Sequence, residues 1–188
     1  MEIRETPLPG LLILEPRRFT DARGWFCETW NRATLRGHGI DLDFVQDNHS
    51  FSHAPGTVRG LHYQAPPHAQ AKLVRCTGGV ILDVAVDARP GSATFGRWFG
   101  VGLSAENGLQ LLIPAGFLHG FVTRSAGAEV AYKCTAAYAP DADGAVRFDD
   151  PDLGIDWGIA PRDAILSDKD RAAPLWRDWA NPFGTESP

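Results

Sequence analysis

The sequence predicts an all-β domain, built as a sandwich or a closed barrel. Three observations lead there. The apolar runs are short and rich in β-branched residues. The 20 glycines and 14 prolines are spread through the chain, cutting it into pieces as turns do. Helical periodicity is confined to a few residues. In chain order, the first 45 residues read as a flanking arm, with a helix over "WNRATLRGHG" at residues 30 to 39. "KLVRCTGGVILDVAVDAR" holds two apolar runs joined at Gly78-Gly79, the pattern of a hairpin. In its second run Val80, Leu82, Val84 and Val86 share one face, and Asp83 and Asp87 share the other. The two carboxylates read either as solvated strand residues or as groups that position His119. "RPGS" at residues 89 to 92 is a turn. "LQLLIPAG" and "EVAYKCTAAY" are further strands, the second placing Val130, Tyr132 and Cys134 on one inward face. "SDKDRAA" reads as a short turn. Beyond about residue 150 a second arm follows, and Trp157, Trp176 and Trp179 predict that it packs on the barrel. The expectation is one domain over residues 1–188, its core barrel spanning about 46–150.

Composition narrows the function. A chain of 188 residues is long enough for one domain with a well-buried core. With 44% hydrophobic and 22% charged residues it is ordinary for a globular protein. A formal charge of -5 argues against general affinity for nucleic acid, whose phosphates call for a basic surface. An anionic small ligand stays open, since it needs only a few placed cations. No apolar run approaches the roughly 20 residues of a membrane span. "MEIRETPLPG" lacks the basic start and apolar stretch of a signal peptide. Cys27, Cys76 and Cys134, odd in number and without a CxxC, read as reduced thiols of a cytoplasmic protein.

The chemistry concentrates in "GTVRGLHYQAPPHAQAKLVRCTGG", residues 56 to 79. From Gly56 this is the frame in which small β-barrels carry His-x-His and then Glu around a divalent ion. Here the positions read His62, Gln64 and Lys72. Downstream, Gly108, Pro114, Gly116 and His119 supply the second half of a pair that marks the cupin barrel, a double-stranded β-helix or jelly roll. Pro114 and Gly116 make the turn that delivers His119 into the interior opposite His62. A metal needs lone-pair donors. An ammonium repels a divalent ion and an amide is a poor histidine, so the expectation is no metal and no cofactor. A histidine beside an ammonium instead suits enolate chemistry: imidazole removes a proton next to a ketone, and the cation stabilises the oxyanion that forms. Tyr132, on a neighbouring strand, is the acid that would return a proton from the other face.

With these residues the chain resembles the dTDP-4-dehydrorhamnose 3,5-epimerase family. "DARGWFCETW", "FVQDNHSFS", "GTVRGLHYQ", "QAKLV", "GVILDVAVDAR", "IPAGFLHGF", "YKCTAAYAP", "DPDLGIDW" and "LSDKD" run in family order. The resemblance implies cofactor-free epimerisation of dTDP-4-dehydro-6-deoxyglucose in dTDP-L-rhamnose synthesis, by a homodimer. It implies His62 as base, Asp170 as its carboxylate partner, Tyr132 as proton donor and Lys72 as enolate stabiliser. Arg23 and Arg59 match the cations that bind the diphosphate. Gln46, Asn48 and His119 match residues of the sugar and phosphate pocket. Phe26 and Glu28 match those on the thymine side, and Lys169 a further substrate contact. Asp143 stands where the family often has glutamate. Strict alternation from His62 turns Arg59 outward, so either Gly60 marks a bulge or Arg59 serves a pocket shared with another subunit. Arg23 and Glu28 could also form a surface ion pair. The rival activities are inversion at C3 or C5 alone, metal-dependent cupin chemistry, and nucleotide-sugar binding without catalysis.

Overall fold

The protein is described by a computed structural model covering residues 1–184. The N-terminal arm supplies β1 (Glu2–Glu5), β2 (Leu12–Glu15), β3 (Arg18–Asp21), β4 (Gly24–Cys27) and helix α1 (Arg32–Gly37). The barrel follows as β5 (Gln46–Ser52), β6 (Val58–Gln64), β7 (Lys72–Gly78), β8 (Val80–Asp87), β9 (Trp98–Ser104), β10 (Gln110–Ile113), β11 (Phe117–Thr123) and β12 (Ala128–Cys134). A short β13 (Asp143–Ala145) and helix α2 (Asp168–Ala172) belong to the C-terminal segment.

Two antiparallel sheets face each other, ordered β1-β2-β10-β7-β12-β5 and β13-β6-β11-β8-β9. From β5 to β8 the chain changes sheet at every strand, and this alternation is the jelly roll. It also corrects the hairpin expected at Gly78-Gly79. β7 is flanked by β10 and β12 on its two edges, so it has no edge left for β8, which pairs with β11 and β9 in the other sheet. Paired glycines satisfy a tight hairpin and a corner between sheets equally well. At Gly79 φ is +71°, and a Cβ there would meet Ser125 Oγ at 2.3 Å. Only glycine fits this corner.

Between the sheets Val74, Cys76, Ile81, Ala85, Leu103, Leu111, Phe121 and Val130 form the inner core. The outer face of the five-stranded sheet presents Val84, Val86 and Val122, and the C-terminal segment covers it with Trp157, Trp176, Trp179 and Phe183. The tail tryptophans therefore pack as expected. On the other outer face, Leu35 of α1 closes a third cluster with Leu14, Leu73 and Leu112. Helix α1 is shorter than the 30–39 stretch but lies within it, capped by the Asn31 side chain over Ala33 N and Thr34 N. The arm is more integrated than a flanking segment suggests, since β2 pairs with β10. β3 and β4 form a separate two-stranded ribbon. No helix among the described residues is long and apolar enough to cross a membrane.

Candidate active site

Strand register places the polar residues in rows across the interior. On the six-stranded sheet, Gln46, Cys134 and Lys72 are Cα partners in one row, and Asn48, Tyr132 and Val74 in the next. On the facing sheet, His62 pairs with His119, which pairs in turn with Ala85. Lys72 and Tyr132 thus approach from one wall and His62 from the other. A cavity of about 380 Å³ lies between them, lined by Arg59, His62, Lys72, His119, Tyr132 and Asp170 among others. An adjoining cavity shares His62, Lys72 and Tyr132, and adds Gln46, Asn48, Tyr138, Asp143 and Lys169.

Arg59 reaches the cavity through a bulge. His119 pairs with His62 and Phe121 with Arg59, so three steps on β6 match two on β11. The extra residue falls at Gly60-Leu61 and turns Arg59 inward, which resolves the alternation problem in favour of the bulge. Gly60 has φ +130°, and a Cβ on it would lie 2.5 Å from Gly120 Cα. The Arg59 guanidinium donates to Phe51 O at 3.0 Å and to Ser52 Oγ at 3.3 Å.

His62 Nε2 lies 2.5 Å from Asp170 Oδ1. Asp170 is buried on α2 and also accepts from Ser167 Oγ at 2.8 Å. Burial alone would raise its pKa, but the bonds from His62 and Ser167 outweigh that and hold it below the usual carboxylate range. An ionised carboxylate only accepts, so Nε2 carries the hydrogen and Nδ1 keeps the lone pair. Ser167 has two roles: as N-cap it accepts from Asp170 N, and its hydroxyl supports the carboxylate. The expected turn at "SDKDRAA" is this capped helix. The Ser-x-x-Asp spacing of a capping box was the signal that could have singled out Ser167.

His119 sits directly beside this pair, its Nε2 2.8 Å from Asp83 Oδ1. Burial lowers the His119 pKa, and the Asp83 charge opposes that. Asp83 and Asp87 are both fully buried, so the solvated alternative fails for both. Asp87 serves the 89–94 turn, accepting from Arg89, Ser92 and Thr94. The Lys72 ammonium has no hydrogen-bond or ion-pair partner among the described residues, and burial lowers its pKa. Burial likewise raises that of the Tyr132 phenol. Gln64 is spent on structure: its amide donates to His68 O and Ala137 O and accepts from Ala139 N. Among the described residues no three His, Cys, Asp or Glu side chains converge as metal ligands.

Other expected site residues fall in two groups. Gln46 and Asn48 bond to each other on β5, and Lys169 pairs with Asp143, whose shorter side chain still makes that contact. Arg23, Phe26 and Glu28 lie outside the cavities just described. Arg23 is 90% exposed and pairs with Asp21, not with Glu28, which accepts from Asn31. Phe26 on β4 is 70% exposed.

A jelly-roll barrel whose cavity gathers a carboxylate-paired histidine, a lysine and a tyrosine is equipped for proton transfer. Comparison with known proteins agrees. Residues 5–178 match the profile of the family described as dTDP-4-dehydrorhamnose 3,5-epimerase. The chain is 50% identical to the dTDP-4-dehydrorhamnose 3,5-epimerase of Salmonella typhimurium, over 93% of this chain and 95% of that one. It superposes on the crystal structure of the Elizabethkingia anophelis enzyme of that name with a TM-score of 0.90 and 49% identity, covering 95% of this chain and 97% of that chain. A Legionella pneumophila dTDP-6-deoxy-D-glucose-3,5-epimerase, solved in complex with dTDP-4-keto-L-rhamnose, matches with TM-score 0.88 and 46% identity, over 93% and 92% of the two chains. This chain belongs to the dTDP-4-dehydrorhamnose 3,5-epimerase family.

Proposed function

We propose that this protein epimerises dTDP-4-dehydro-6-deoxy-D-glucose at C3 and C5 through enolates, in dTDP-L-rhamnose synthesis. The observation that carries the proposal is the approach of His62 and Tyr132 from facing sheets, with Lys72 beside them. Inversion needs a proton to leave one face and another to arrive on the opposite one. His62 Nδ1 takes the proton from C3, and the electrons of that C–H bond move onto the C4 oxygen. The Lys72 ammonium stabilises this oxyanion. Tyr132 then delivers its phenolic proton to the other face of C3. His62 returns its proton to solvent, Tyr132 takes one up, and the cycle repeats at C5. Asp170 holds the His62 tautomer and stabilises the imidazolium. Arg59 takes the diphosphate, and Gln46, Asn48 and His119 the sugar and phosphate. Asp143 and Lys169 form a further contact at the nucleotide end.

Arg23, Phe26 and Glu28 fit the same proposal through a homodimer. They sit on or beside a ribbon whose Phe19, Trp25 and Phe26 are exposed, with only Arg17 and Arg18 stacked on the first two rings among the described residues. A second copy receiving the ribbon would bring Arg23 to its diphosphate and Phe26 and Glu28 to its thymine. Three free cysteines fit a cytoplasmic setting. The test is incubation with the 4-keto substrate in heavy water and mapping of deuterium in the product. Label at C3 and C5 with inversion at both is expected. Label and inversion at one carbon would make this a single-centre epimerase, and unlabelled sugar would overturn the proposal.

A further inference from the structure

Of the buried carboxylates that the mechanism does not use, Asp83 is the one bonded to a residue of the cavity. Asp83 on β8 is fully buried between the sheets, in the row next to His62, His119 and Ala85. Its Oδ1 takes the His119 Nε2–H bond, and its Oδ2, also buried, has no partner among the described residues. An isolated buried carboxylate costs several kcal/mol or more, so an apolar residue would have served packing better. Opposite it, on β7, Lys72 is a half-buried cation with no hydrogen-bond or ion-pair partner among the described residues. We propose that Asp83 is a positioning residue of this site: its carboxylate fixes the His119 ring and supplies the negative charge that Lys72 lacks on its own wall.

The division of labour follows from the groups around the cavity. β6 contributes Arg59 and His62, β11 His119, β12 Tyr132 and Cys134, β13 Asp143, and α2 Lys169 and Asp170. Asp170 is committed to His62 and Ser167, and Asp143 to Lys169 and Tyr138. Asp83 is the carboxylate left with a free oxygen. Its charge opposes the effect of burial on Lys72 and on His119 alike. With Nε2–H bound to Asp83, the neutral His119 ring presents Nδ1 as an acceptor, suited to a sugar hydroxyl. The inference rests on the proposed role of Lys72 in holding the enolate oxygen, which requires the ammonium form.

Cys134, Asp83 and Asp143 together oppose the effect of burial on Lys72, so removing the Asp83 charge weakens that opposition and Lys72 loses its proton at lower pH. Burial shifts Lys72 downward and Tyr132 upward, and loss of the ammonium that the enolate needs is read as the alkaline limb of the rate profile. Asp83→Asn, which keeps the shape and an acceptor for His119, should move that limb of kcat/KM downward by about one pH unit, with the acid limb unmoved. Asp83→Glu, which restores the charge, should return the limb toward its original position. A uniform fall in rate with an unmoved limb would overturn the inference, because loss of packing alone gives that result. If Asp83→Asn does not fold, Asp83→Ser carries the same expectation. The ε-carbon NMR resonance of Lys72, assigned through Lys72→Arg, titrates without turnover. It reads the counter-ion even if heavy-water labelling were to refute the proposed reaction, so the two failures are distinguishable.

Discussion

His62 and Tyr132 differ in what their loss should do, although both line one cavity. His62→Ala removes the base, so solvent exchange at C3 and C5 should fall by about 10²–10⁴-fold while dTDP-sugar affinity changes little. Tyr132→Phe keeps the base and loses the acid. Deuterium should then wash into the substrate while epimeric product falls sharply. Lys72→Ala should suppress both, since no enolate is held. Proton NMR in heavy water reads all three, and normal product from Tyr132→Phe would remove that residue from the mechanism. His62 and Lys72 were legible in the sequence because the first cupin motif fixes them in frame, and Tyr132 because strand alternation turns it inward. Asp83 was not: an aspartate alternating with valines fits a solvated strand face as well as a buried one. Only the packing of the other sheet over that face of β8, where Ile81 and Ala85 join the inner core, decides between them.

At the scale of elements, the β6 bulge and the cap of α2 aim the site. Gly60→Ala would put a Cβ against Gly120 at a positive φ, costing about 1–3 kcal/mol. It should lower Tm and raise KM more than it lowers kcat, because Arg59 loses its direction. Ser167→Ala removes a cap worth about 1 kcal/mol and one of the two side-chain bonds to Asp170, so exchange should slow less than in Asp170→Asn. The 89–94 turn gives an acid-stability prediction. Burial opposes ionisation of Asp87, yet its bonds from Arg89, Ser92 and Thr94 bring its pKa down to about 2. A depressed carboxylate pKa contributes stability above the unfolded value of about 3.9, and that contribution is lost as pH falls toward 2. Asp87→Asn should therefore destabilise the protein by on the order of 2 kcal/mol at neutral pH, with the difference from wild type shrinking in acid. Thermal melts across pH check this. Strand existence was readable from the apolar runs, but partner choice was not. Gly78-Gly79 carries the local pattern of a hairpin, and it is the other neighbours of β7 that forbid one.

For the whole molecule, the exposed β3–β4 ribbon is the feature that one chain leaves unfinished. Light scattering should give about twice the 20.4 kDa chain mass, and Phe26→Ala should weaken nucleotide binding without touching exchange chemistry. A monomeric mass with full activity would assign the ribbon another role. Chelation should leave turnover intact, and activity restored by one divalent ion would refute the cofactor-free mechanism. Another feature bears on how the protein comes into being. The base lies at residue 62, on the second strand of the barrel, yet its carboxylate arrives 108 residues later, at residue 170. Synthesis on the ribosome therefore delivers the histidine long before the aspartate. A product terminated before residue 170 has its barrel strands but not its proton-handling pair, so full activity waits until that residue has been made and folded.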